Sequence, residues 1–154
     1  MTKITTGVAV VLAAVVAGCG GGSSKEDYVA EADKICREAA TTFSKLEEEL
    51  SGIGEGATSE EAVLEEARDV FAKAAEEARP FADDLADLEA PDDLEDQADR
   101  YVATVRESVA AIEDASKVES VEELQQVGEK LGANDAEQQK LGQEIGFKDC
   151  TDAS

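Results

Sequence analysis

The chain carries three cysteines and no histidine among its 154 residues. Without imidazole it lacks the commonest general base, the commonest transition-metal ligand and any triad built on His. A ferritin-like di-iron centre needs Glu-x-x-His and is excluded for the same reason. The groups left for chemistry are the thiols of Cys19, Cys36 and Cys150 and a large excess of carboxylates, 37 acids against 14 bases. Two carboxylates flanking a cleft can hydrolyse a glycoside. With no Trp to stack on a sugar, helix surface is the simpler account of these acids. Asp83, Asp84, Asp87, Glu89, Asp92, Asp93, Glu95, Asp96 and Asp99 crowd around Pro91. None of them follows the D-x-[DN]-x-[DN]-G pattern of a calcium loop. No metal, no cofactor and no enzymatic activity are therefore expected.

A net charge of −23 repels phosphate backbones and excludes nucleic acid as a partner. It is equally unsuited to lying flat on anionic lipid. The plain reading is a solvated, self-repelling surface that keeps the protein soluble; the sharper one is attraction of cations or a basic partner.

Cys19 stands apart from the other thiols. Lys3 supplies one positive charge, and Gly7 to Ala17 is an unbroken run, GVAVVLAAVVA. That run falls short of the ~20 apolar residues a membrane span needs and suits the h-region of a signal peptide. It ends in Val16-Ala17-Gly18-Cys19, where small side chains let a peptidase grip an extended strand and the thiol can take a diacylglyceryl group. These residues resemble the lipobox of bacterial lipoproteins. The resemblance implies cleavage between Gly18 and Cys19, a lipid on Cys19, and anchoring at the outer face of the cell membrane. Residues 1–18 are then a signal peptide and 19–25, with Gly20-Gly21-Gly22-Ser23-Ser24, a flexible tether. Such a tether spans only about 13–15 Å, so the folded part stays close to the bilayer.

The other two thiols would meet an oxidising compartment, where pairs tend to close. The alternatives are two buried free thiols or a redox pair, although the Cys-x-x-Cys spacing of redox pairs is absent.

The elements that hold these residues are helices. Tyr28, Ala32, Ile35, Cys36, Ala39, Phe43, Leu46 and Leu50 recur at spacings of three and four, the face of a helix over about Lys25–Leu50. Three glycines between Gly52 and Gly56 end it. Thr58 or Ser59 caps a second helix, whose stripe runs from Val63 to Leu88 with Pro80 inside it. Pro80 cannot donate to the carbonyl of Glu76, so a kink or a junction of two helices is expected there. After Pro91, Asp92 and Asp93 open a third helix reaching about Lys117, with Leu94, Ala98, Tyr101, Val105, Val109 and Ile112 on its face. Ser120 and Glu123 form a capping box for a fourth, with Val121, Leu124, Val127, Leu131, Leu141 and Ile145 inward and Gly146 as C-cap.

Asn134 and Gln138 fall on the apolar stripe of this last helix. Either Gly132 interrupts the helix and Asn134 caps a second segment, or the two amides face a polar pocket in the bundle. Gly128, Gly132 and Gly142 suggest close helix approach and little room for a cavity.

Four amphipathic helices with short connections give an all-α, antiparallel up-down four-helix bundle over residues 26–150, with a tail at 151–154. In that topology the first and last helices are antiparallel neighbours. Cys150 then arrives beside Cys36, and one disulfide closes the bundle. The lipobox, the Tyr-x6-Ile-Cys opening and the closing Gly146-Phe147-Lys148-Asp149-Cys150 together are similar to small, acidic, Ala-rich helical lipoproteins of actinobacteria. That resemblance supports the Cys36–Cys150 pairing and implies no substrate. The expected function is a non-enzymatic binding or interaction module of the cell envelope, with an envelope protein or a small ligand as partner. A small-ligand carrier with a pocket between the helices comes second, and a carboxylate-dependent hydrolase a distant third.

Overall fold

A computed structural model describes residues 23–54 and 59–151. Gly18 and Cys19, and with them the expected cleavage and lipidation site, lie outside the described residues. The chain folds into four helices, α1 (Lys25–Ser51), α2 (Glu60–Ala86), α3 (Glu95–Ala115) and α4 (Val121–Ile145). They form an up-down bundle closed by a Cys36–Cys150 disulfide, whose Cα atoms are 5.1 Å apart.

Serine hydroxyls start three of the helices. Ser24 accepts from the N–H of Asp27, Ser59 from Ala62 and Ser120 from Glu123. Each satisfies a backbone donor that the first turn leaves free. In the box at α4 the Glu123 carboxylate reaches back to the N–H of Glu119, one residue earlier than the usual reciprocal bond. Gly146 ends α4 at φ 103°, a left-handed conformation in which a Cβ would be strained, and Phe147 N–H donates back to the carbonyl of Gly142.

Three sequence expectations need correction. The third helix does not start at Asp92 and Asp93. Those residues lie in a turn closed by Leu94 N–H on the carbonyl of Pro91, and α3 begins at Glu95 with no side-chain cap. Leu94, at the position before the helix, is buried and its burial fixes the entry. Of the two outcomes expected at Pro80, the junction of two helices is not found: α2 runs unbroken past it, with Pro80 exposed to solvent. Gly132 does not interrupt α4 either. An exposed Gly costs a helix about 1 kcal/mol, less than burying Leu141 or Ile145 returns, at about 1.5–3 kcal/mol each.

The helices pack in chain order, α1 on α2, α2 on α3, and α3 most extensively on α4, whereas direct contact between α1 and α4 is sparse. The expected close α1–α4 neighbourhood is replaced by a contact with the segment after α4. Phe147 turns inward between Tyr28 of α1 and Tyr101 of α3, with ring centroids 5.8 and 5.1 Å away. With Ala32, Leu85, Leu94, Leu141 and Ile145, these rings form the main core, at the end of the bundle where the disulfide sits.

Exposed ion pairs join neighbouring elements: Lys73–Glu49 (α2–α1), Arg79–Glu113 (α2–α3), Arg100–Glu137 (α3–α4) and Arg37–Asp149 (α1 to the closing segment). Such pairs add little stability each, but they place the few bases where each tie spans two elements. Their hydrogen bonds raise the Lys73 ammonium above its ordinary pKa and hold the Glu113 carboxyl below its own.

Candidate binding cleft

The main core lies at the disulfide end, and Leu46, Leu64, Ala67, Ala111, Ala115 and Val118 are buried toward the other end. Beyond the disulfide an open cleft of about 690 Å³ lies among all four helices, a size within the usual range for small-molecule sites. Phe43 of α1, Phe71 and Phe81 of α2, Val105 and Ile112 of α3 and Leu131 of α4 line it. Each of these side chains is only half-buried. Phe43 and Phe81 pack against each other in its wall, with ring centroids 6.1 Å apart. Alanines on the facing helices, Ala39, Ala74 and Ala78, leave the space that larger side chains would occupy. The Cys36–Cys150 bridge and Tyr101 border the cleft on the side of the packed core.

The polar groups of the wall are few. Gln138 Nε2 donates to Ser108 Oγ at 2.8 Å and lies 3.5 Å from the carbonyl oxygen of Thr104. That carbonyl can only accept, which sets the orientation of the amide. Ser108 Oγ in turn donates to Thr104 O at 3.2 Å. The charged lining group among the described residues is Glu47, exposed at the rim, and no base joins it. Burial, with smaller contributions from Tyr28, Asp33 and Asp135, pushes the Tyr101 phenol well above its ordinary pKa, so it stays neutral across the physiological range.

Asn134 and Gln138 therefore separate. Both lie inside the continuous α4, and neither caps a helix. Gln138 lines the cleft, whereas Asn134 is not on its wall. Asn134 Nδ2 is buried, and among the described residues it finds no hydrogen-bond partner. The glycine argument against a cavity does not hold. A Cβ at Gly128 or Gly132 would meet nothing within 4 Å, and only Gly142 is crowded, by Thr151, Phe147 and Tyr101.

Around Pro91 lies a second, more polar hollow of about 620 Å³, lined by Asp87, Glu89, Asp92, Glu95, Asp99 and Arg106 among others. Among the described residues no group of three or more acids or thiols is arranged to hold a metal ion. No described helix is long and apolar enough to cross a membrane.

The closing segment is fixed to α1 at three successive residues. Asp33, 5% exposed, accepts the backbone N–H of Lys148 at 2.9 Å and of Asp149 at 3.0 Å. Cys150 carries the disulfide. From the sequence Asp33 is expected to pair with Arg37 four residues on; Arg37 pairs with Asp149 instead, and Asp33 turns to the backbone. The signal for that role was position, one turn ahead of Cys36 on a face otherwise made of Tyr28, Ala32 and Ile35.

No protein-family model matches this chain, no curated protein matches it in sequence, and no solved structure matches its fold.

Proposed function

We propose that this protein is an extracytoplasmic lipoprotein, held to the outer face of a bacterial membrane through Cys19, that binds a small hydrophobic ligand in the cleft between its helices. The anchoring half rests on the order of Lys3, the Gly7–Ala17 run and Val16-Ala17-Gly18-Cys19. The binding half rests on one observation, the 690 Å³ cleft walled by Phe43, Phe71, Phe81, Val105 and Ile112. An interaction module acting only through its acidic exterior would have no use for that opening, so the cleft favours the carrier over the filled bundle first expected. Hydrolysis has less support, because Glu47 is the sole carboxylate among the lining residues and a two-acid mechanism needs a partner.

Two measurements test the two halves separately. Intact-mass spectrometry of the membrane-extracted protein should find residue 19 as the N-terminus, carrying diacylglyceryl mass; an unmodified Cys19 there refutes the anchor. A neutral solvatochromic dye should bind the full-length chain saturably, and Val109→Trp, which narrows the cleft, should weaken that binding. Dye uptake that ignores Val109→Trp refutes the carrier.

A further inference from the structure

The cleft wall carries a chemical preference. Its lining includes one acid, Glu47, and no Lys or Arg, in a protein of net charge −23. An anionic ligand would leave water for an apolar site with no counter-charge, which is costly. The amide of Gln138 sharpens the point. Its N–H group is spent on Ser108 and faces Thr104 O, and the Ser108 hydroxyl is spent on the same carbonyl. Among the described residues the Gln138 carbonyl oxygen accepts no hydrogen bond and is not fully buried, so it stays an open acceptor on a residue of the wall. A ligand head that donates a hydrogen bond satisfies it; a carboxylate, which only accepts, does not.

We infer that the cleft selects uncharged apolar molecules with a hydrogen-bond-donating head, a neutral lipid with a free hydroxyl, over fatty-acid anions of equal chain length. This rests on the carrier reading above and specifies its ligand class.

The test uses chain-matched photoreactive probes, a diazirine-bearing dodecan-1-ol and the corresponding dodecanoic acid, on the full-length chain in lipid nanodiscs. At pH 8.5 the acid is ionised; free probe is measured in the aqueous phase. The alcohol should saturate labelling of the peptides carrying Phe43, Phe81 and Ile112 at a concentration at least about tenfold below the acid. Gln138→Leu should narrow that gap by about two- to tenfold, the effect of one hydrogen bond. Glu47→Gln, which removes the one charge of the lining, should improve labelling by the acid about twofold. Equal saturation by both probes, tighter labelling by the acid, or a gap unmoved by Gln138→Leu overturns the selectivity while leaving the carrier intact. Absence of saturable labelling by either probe overturns both.

Discussion

One oxygen of the Asp33 carboxylate accepts the backbone N–H groups of both Lys148 and Asp149, at 2.9 and 3.0 Å, from 115 and 116 residues further along the chain. The acceptor is buried, and the donors belong to a segment with no helix of its own. Asp33→Ala should therefore cost about 1–3 kcal/mol in denaturant unfolding, the desolvation penalty of two stranded donors. Asp33→Asn keeps an acceptor in place and should cost less. A loss within error for Asp33→Ala would mean that the disulfide alone fixes the segment.

Reduction of Cys36–Cys150, or paired replacement by Ser, should destabilise the fold by roughly 2–5 kcal/mol, since the bridge closes a long loop in the unfolded chain. Amide hydrogen exchange should rise first at residues 147–151, where Phe147 leaves the Tyr28–Tyr101 site. Exchange that rises uniformly along the chain would contradict this order.

Alkaline pH should loosen the core. Burial raises the Tyr101 pKa, and burial together with the Asp99 charge raises that of Tyr28. The unfolded chain ionises both phenols near pH 10. Above that pH the folded form holds more protons than the unfolded one, so stability is full below about pH 10 and falls as pH rises past it. Melting temperature followed from pH 8 upward should show the decline, and Tyr101→Phe should flatten it.

Glycine substitutions should divide by site. Gly128→Ala and Gly132→Ala, in open exposed helix, should each stabilise by about 0.5–1 kcal/mol. Gly142→Ala would bring a Cβ to 2.8 Å from Thr151 Cγ2, and Gly146→Ala would force a side chain into the left-handed region; both should destabilise. Thermal melts of the four variants give the comparison.

Much of the architecture was legible because it obeys short-range rules. The stripe from Tyr28 to Leu50, the box at Ser120–Glu123 and the glycine stop at Gly146 each follow from helical period or from free end groups. The Cys36–Cys150 pairing followed from antiparallel topology. What escaped were matters of volume and of competition between terms. A stripe containing Phe43, Phe71 and Phe81 reads the same whether the bundle is filled or gapes. The clue was the alanines opposite, Ala39, Ala74 and Ala78, which cannot fill the space between helices held apart by large rings. Gly132 and Pro80 break isolated helices, yet both are exposed here and the buried faces of α4 and α2 carry the helix past them. Leu94 shows the converse, a buried hydrophobic residue at the cap position, which starts the helix after the two aspartates expected to open it.

The sulfur bridge also settles how the molecule answers a mechanical pull. Tension applied between the two ends of the chain enters α1 at Lys25, crosses from Cys36 to Cys150 and leaves directly. Residues 37–149 lie off that path, so α2, α3, α4 and most of the cleft wall bear none of the force. Among the described residues before Cys36, the first turns of α1 are what could be drawn out, and their extension should stop at the covalent link.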